Sequence, residues 1–546
     1  MLATSAGMYH ASVAFLPSSF SMYFVMLGSA FSFKSPSLLE SKRIVYALQL
    51  FGIGAIFGWP YAAIISFPAI IEELFIRGSD QIPGRAKVDV LMQVLRKWRV
   101  RRINSVLRGV ISGASLLLVV GAVDSYYYDR ITLSLWNAVK YNLFGGSKRG
   151  PDLYGTEPWT YYFANGFINF NIVFVFALLS LPLWGCQYVL WRILDKISTR
   201  KSRKKHRVID EYLPVRREPT HPHMLLLIRM IPFYLVLAIF TLQPHKEERF
   251  LYIIYPYICF NGAVSLHLVR SLFNEVAVIL GSGGFIRSTV ATSGKLNWLF
   301  LTISTVLSTM RIFALFHYYS RAASLFMALP GFADTPNVPM DFSVSLKALL
   351  PSTISGIDHS LHNPSELEKS KITNVCIGKE WHRFPSHYFM PHNYHLRFLQ
   401  TPAFKGQLPG DFLPVTNSLR ESTSHIQKTF NDMNREEPSH YWKESKCDYV
   451  VDIDWTAIPD SVYHEKSEPL PYARQTGKWE KVRCAPYLDK DRSKALGRVF
   501  YTPEKAKVFI VKLKNWFLGR KDPEKEAEEL DTWIQWGEAC LLKPKK

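Results

Sequence analysis

The chain has 546 residues, 48% of them hydrophobic and 14% aromatic, and a formal net charge of +20. Its near-zero mean hydropathy averages a long apolar part, up to about residue 330, with a polar remainder, which excludes an ordinary soluble protein. A charge of +20 on a soluble chain would point to nucleic acid, but here the basic clusters flank apolar segments and read as topology determinants, so no nucleic-acid partner is expected.

A spanning helix needs roughly 20 mostly apolar residues, because lipid offers no partner to an unpaired backbone group. In chain order, Met8–Phe33, Val45–Ile76 and Val106–Val123 are shorter or broken candidates. The second is interrupted at Gly58-Trp59-Pro60, where proline removes a helix hydrogen bond; it reads as one kinked span or two short ones. Phe167–Trp191, Leu225–Leu242, Phe250–Val269 and Leu296–Phe316 are full-length windows. The expectation is a multi-spanning α-helical membrane protein of about seven to eight spans within residues 1–330, followed by a lumenal C-terminal domain, residues 331–546, of mixed, partly β structure. Met1 to Met8 show no basic region followed by a cleavage site, so no signal peptide is expected.

Positive residues in short loops stay cytosolic. Placing Arg96–Arg102 and Arg200–Lys205 in the cytosol makes residues 124–164 and 245–250 lumenal, and with them the tail. In the tail, Tyr449–Asp454 and Val508–Val511 read as short strands. Cys186 and Cys259 fall in apolar runs and are expected reduced, whereas Cys376, Cys447, Cys484 and Cys540 lie in the polar part, where an oxidising compartment would allow disulfides of open connectivity. No Walker loop, GxSxG elbow, HExxH or Cys/His metal spacing occurs; no cofactor and no structural metal are expected, and a catalytic metal is left open.

Two polar constellations are candidates for chemistry. His245-Lys246-Glu247-Glu248-Arg249-Phe250 sits between two apolar runs. Five titratable residues there are costly unless paired, solvated or used, so the motif is either a solvated inter-helix loop or an anion site. In the second reading His245, Lys246 and Arg249 surround a phosphate, oriented by Glu247 and Glu248. Leu153–Tyr162 is the other: Tyr154 and Trp159 are interfacial anchors or a sugar platform, with Asp124, Asp152 and Glu157 on the same side.

These strings resemble glycosyltransferase family 22, the dolichol-phosphate-mannose-dependent mannosyltransferases, with a GT-C type fold. The matching stretches include Ala6–Ser12 with Leu16–Phe20, Gly58–Pro60, Asp124–Tyr128, Tyr154–Trp159 and Gln243–Phe250. In the tail they are Gly378–Ser386 and Glu436–Ser439 leading to Cys447–Tyr449. The tail strings resemble the family's branch that forms α-1,2 linkages on the N-glycan precursor in the endoplasmic reticulum. The resemblance implies transfer of mannose, with inversion, from dolichol-phosphate-mannose to a mannose 2-hydroxyl of a dolichol-diphosphate-linked oligosaccharide, in the lipid bilayer. His245, Lys246 and Arg249 would then lie near the donor phosphate, with Tyr154, Glu157 and Trp159 shaping the sugar site. The family carries its catalytic acidic residues in a first lumenal loop, and the segment at Met1 resembles a mid-protein segment. The general base is therefore expected outside this sequence, with Asp124 and Glu157 the substitutes the chain offers. A related glycosylphosphatidylinositol mannosyltransferase, a catalytically dead truncated membrane protein and a transporter are the competing readings; the last would show internal repeats or charges in mid-span.

Overall fold

A computed structural model describes residues 1–34, 42–76, 88–144, 150–203, 222–279, 283–320, 323–329, 372–378, 390, 393–401, 406–410, 419–425, 427, 429–465, 469–517, 530 and 532–545. The tail string Gly378–Ser386 therefore lies outside the described residues beyond Gly378, as does the basic run at Lys204-Lys205. The chain divides into two units, Met1–Arg311 with Leu413–Ile426, and Ile312–Phe412 with Gln427–Lys546.

The first unit is helical. Among the described residues, five helical stretches are long and apolar enough to cross a membrane: Arg96–Tyr127, Ile172–Leu194, His223–Leu242, Glu248–Phe273 and Gly294–Tyr319, the last running past the unit boundary. Four of them contain a window read from sequence whole, and Ile172–Leu194 holds all but the first residues of Phe167–Trp191, because the length and apolarity that lipid demands are local properties. Two regions depart from straight spans. Met8–Phe33 is a bent pair, α1 (Ala6–Val13) and α2 (Pro17–Phe33), meeting at 114°; proline at the first position of α2 starts a helix but cannot continue one. Val45–Ile76 is broken as its proline suggests: α3 (Lys42–Ile53) runs into a π turn, then Trp59 turns extended and a 3₁₀ turn begins at Pro60 before α4 (Ser66–Ile71).

The remaining helices are α5 (Val88–Tyr127), α6 (Ser134–Phe144), α7 (Tyr161–Phe170), α8 (Ile172–Arg203), α9 (Pro222–Leu242), α10 (Tyr255–Ile279) and α11 (Gly283–Ala314). The window read as beginning at Phe167 is cut at Asn171, which takes a left-handed conformation (φ 46°). Asparagine tolerates that region, and its amide donates to Ser308 Oγ at 2.9 Å. Phe51, Tyr162, Phe170, Phe233, Phe240 and Ile258 are fully buried in the core these helices share.

A charge cluster lies inside this unit. Glu72 and Glu73 are almost fully buried, yet Arg229 on α9 makes a two-pronged pair with Glu72 (3.0 Å at both prongs), while Arg43 on α3 and Arg102 on α5 converge on Glu73. Each carboxylate is neutralised by an arginine from another helix, the condition for holding charge in apolar surroundings.

The second unit carries a five-stranded mixed sheet of order β2-β1-β3-β5-β4: β1 (Thr373–Ile377), β2 (Tyr394–Phe398), β3 (Tyr449–Asp454), β4 (Trp479–Leu488) and β5 (Trp536–Pro544). β1 is parallel to β2 and β3, and β5 is antiparallel to β3 and β4. Alternation along the strands separates two buried faces. Val375, Ile377, Ile453, Ala539 and Leu541 lie in one; Cys376, Cys447, Val450, Cys540 and Leu542 lie in the other. Both disulfides, Cys376–Cys447 and Cys484–Cys540, belong to the second face. Tyr449–Asp454 is the strand expected from its alternation, but Val508–Val511 lies in the helix Glu504–Phe517. Among its residues of described burial, Val511 and Asn515, four apart, are buried and Phe509 is exposed; a four-residue apolar run does not by itself distinguish the two periods.

Candidate functional site

The polar motif 245–250 lies at the turn between two spans, after α9 and at the start of the 3₁₀ turn Glu248–Ile254 that leads into α10. Its six residues are sorted by direction. The Lys246 ammonium is buried and donates to the carbonyl oxygens of Glu157 (2.8 Å), Gln243 (2.5 Å) and Pro244 (3.4 Å). The Glu157 N–H returns a hydrogen bond to the Pro244 carbonyl at 3.0 Å. His245 is also buried, with Nδ1 2.7 Å from the Gly155 carbonyl and Nε2 3.2 Å from Glu247 Oε1. The motif is thus stitched to loop 155–157 largely through backbone oxygens.

Glu247 and Glu248 part company. Glu247 holds Arg249, whose Nη2 donates to Oε1 at 2.9 Å while Nε lies 2.6 Å from Oε2. Glu248 turns inward. Its Oε1 lies 2.6 Å from His10 Nε2 and accepts from Asn169 Nδ2 (2.9 Å) and Tyr255 Oη (3.2 Å). Tyr162 donates from its hydroxyl to the Glu247 carbonyl at 3.2 Å. Burial pushes that phenol above its ordinary range, so it remains a donor.

A cavity of about 420 Å³ opens beside the outward half of the motif, within the size range of small-ligand sites. His245, Glu247, Arg249 and Phe250 form one wall, Tyr154 from the loop and Tyr141 with Asn142 from α6 another, and Pro17, Ser18 and Trp59 a third. The Phe250 ring meets Trp59 edge-on at 4.5 Å, and His245 lies edge-on to Tyr154 at 6.4 Å. Arg249 is partly exposed here, and its Nη1 group is engaged by neither contact to Glu247. One guanidinium with a free edge, ringed by aromatic faces, suits an anion attached to an apolar or sugar-like body.

Of the residues singled out in the sequence, Tyr154, His245, Glu247 and Arg249 thus line one cavity. Lys246 braces backbone instead of lining it, and Glu248 faces His10. Trp159 is exposed and packs edge-on to Phe163 at 5.7 Å, outside the cavity lining. Asp124 Oδ2 accepts from the Ser134 N–H at 3.0 Å and so caps the start of α6. The Glu157 side chain is exposed. Ser18, Trp59, Tyr141 and Asn142 were not read as one site: they come from three separate segments, and only the string similarity at Leu16–Phe20 and Gly58–Pro60 marked two of those segments.

The sequence model of the Alg9-like mannosyltransferase family matches residues 1–391. The α-1,2-mannosyltransferase ALG9 of Mus musculus is 32% identical over 502 residues, covering 92% of this chain and 66% of its own length. Its counterpart alg9 in Schizosaccharomyces pombe is 32% identical over 509 residues, covering 92% and 72%. ALG9 of Saccharomyces cerevisiae is 27% identical over 511 residues, covering 91% and 70%. The chain therefore spans 66 to 72% of the length of these relatives. No solved structure matches it.

Proposed function

Since the chain belongs to the Alg9-like mannosyltransferase family, we propose that it takes part in α-1,2-mannosyl transfer during assembly of the N-glycan precursor, using dolichol-phosphate-mannose as donor and a dolichol-diphosphate-linked oligosaccharide as acceptor. The observation that carries this reading is the cavity beside the 245–250 motif. Arg249 offers it a guanidinium edge, Glu247 fixes the other edge, and the walls are aromatic.

A β-linked donor giving an α-linked product requires inversion, which a single displacement provides. The acceptor oxygen attacks the anomeric carbon, its proton passes to a base, and the bond to the donor phosphate breaks with the electron pair leaving on phosphate oxygen. Arg249 meets the negative charge that accumulates on that oxygen, already oriented by Glu247 before substrate arrives. His245 adds a ring to the same wall but is tied to Gly155, and Lys246 acts by holding the loop that carries Tyr154. Neither Asp124, which caps α6, nor Glu157 is assigned as base.

The reaction is set in the endoplasmic reticulum membrane, with the motif and the sheet-bearing unit on the lumenal side. Two disulfides in that unit support this placement, because such bonds persist in oxidising compartments. The test is transfer of radiolabelled mannose from dolichol-phosphate-mannose to a lipid-linked oligosaccharide by membranes expressing the chain extended to the full length of its relatives, in cells without their own activity. Label released by an α-1,2-specific mannosidase is the expected result. Label resistant to that enzyme, or none transferred, overturns the reading.

A further inference from the structure

The third wall of the cavity is the first turn of α2. Proline occupies the first helical position and the capping position is Leu16, whose side chain cannot accept a hydrogen bond. The N–H groups of Ser19 and Phe20 both go to the Leu16 carbonyl at 3.1 Å. Ser18 is left over. Among the described residues neither its N–H nor its hydroxyl makes a hydrogen bond, although the residue is 1% exposed and lines the cavity. A buried hydroxyl without a partner is uncommon in proteins and calls for an explanation. Here it stands at the positive end of a 17-residue helix, in the cavity that Arg249 also lines.

The turn is also held in place. Ser21 Oγ accepts from the Trp59 N–H (2.6 Å) and lies 2.7 Å from the Gly54 carbonyl and 3.0 Å from that of Pro17. A Cβ on Gly58 would lie 2.7 Å from the Pro17 carbonyl oxygen, so that close approach requires glycine. The donor pair at Ser18 is therefore presented on a fixed element.

We propose that Ser18 is a second phosphate anchor. Its N–H and hydroxyl receive oxygens of a phosphate group whose charge Arg249 meets from the motif wall. This rests on the reading given under Proposed function, and extends it to a residue outside the charged motif. The ligand chemistry is a phosphate ester or free phosphate; the aromatic walls favour an ester carrying a sugar and an isoprenoid chain.

The experiment measures binding to the purified protein in lipid nanodiscs, with fluorescent polyprenyl-phosphate-mannose, polyprenyl phosphate and inorganic phosphate as probes. Ser18→Ala should weaken binding of the lipid phosphates about tenfold, the scale of one hydrogen bond to a charged group. It should leave the melting temperature unchanged or raised, since it removes a buried hydroxyl that is unpaired in the empty protein. Ser18→Gly, which keeps the N–H, repeats the measurement in a second background. Ser19→Ala removes a hydroxyl equally buried and unpaired but outside the cavity lining, and should bind as wild type. Competition by inorganic phosphate that is itself Ser18-dependent identifies free phosphate as an occupant; Ser18-dependence confined to the lipid probes identifies the ester. Undiminished binding by both Ser18 variants, with binding lost in Arg249→Ala, overturns the Ser18 assignment alone. Failure of the wild type to bind either lipid phosphate overturns it together with the functional reading beneath it.

Discussion

The Lys246 ammonium lies 2.8 Å from the carbonyl oxygen of Glu157, 89 residues earlier in the chain, and donates to it. A lysine that sequence alone places beside a phosphate is spent on joining two loops. Removing it takes the charged donor from the carbonyl oxygens of Glu157, Gln243 and Pro244 and unties the two loops. Lys246→Met should therefore destabilise the protein by about 2–4 kcal/mol, the scale of losing hydrogen bonds from a charged donor. The measurement is the melting temperature in detergent; a variant as stable as wild type but with weakened donor binding would instead make Lys246 a ligand contact.

Arg249 answers to a different measurement. In the chain extended to the full length of its relatives, Arg249→Ala should lower turnover per folded molecule by about 10²–10³, typical of losing one preorganised charge-stabilising donor. Arg249→Lys should recover part of it, because lysine restores charge without the planar fork. Glu247→Gln should fall between, since the fork would lose its anchor. Normal turnover from well-folded Arg249→Ala protein would reduce the residue to a loop anchor.

The pair Glu72–Arg229 tests the buried charge cluster. Glu72→Ala leaves Arg229 without its two-pronged partner, and truncating one member of such a pair costs about 3–5 kcal/mol. The double change Glu72→Ala with Arg229→Leu should recover most of that stability, as a coupling energy in a double-mutant cycle. Additive losses would show that the two residues act independently.

The sheet-bearing unit should be cut by protease in sealed microsomes only after detergent is added, if it faces the lumen. Reduction should lower its melting temperature, each bridge contributing about 2–4 kcal/mol. Digestion in intact vesicles would reverse the assignment of sides.

What was legible in the sequence follows from what is local. The windows at Val106–Val123, Leu225–Leu242, Phe250–Val269 and Leu296–Phe316 each fall within a long apolar helix, because span length is a property of one segment. The breaks were harder. Proline announced the one at Trp59–Pro60, but Asn171 stops a helix by adopting a conformation that depends on its partner Ser308. Glu72 and Glu73 fall inside the Val45–Ile76 window without a partner beside them in sequence; their arginines arrive from α3, α5 and α9, and no single window holds all of them. The same holds at the site. Charge density between apolar runs exposed His245 to Arg249, but tertiary packing decides that Lys246 turns to backbone, Glu248 to His10, and that Ser18 and Asn142 join Arg249. In the tail, alternation found β3 and misread the helix at Val508–Val511, where apolar residues follow one another too briefly to show their period.

The strand order has a consequence for biogenesis. β5, Trp536–Pro544, lies between β3 and β4, so both of those strands keep an unpaired edge until the ribosome has decoded residue 544. The two bridges inherit the same timetable. Cys376 can meet Cys447 while translation is still in progress, but Cys484 must wait for Cys540, which sits in β5 itself. During that interval Cys484 is an open thiol on an unfinished sheet, the kind of species that oxidoreductases and chaperones hold. Nascent chains stalled before residue 536 should accordingly form the first bridge and be trapped as mixed disulfides through Cys484. Completed chains should not.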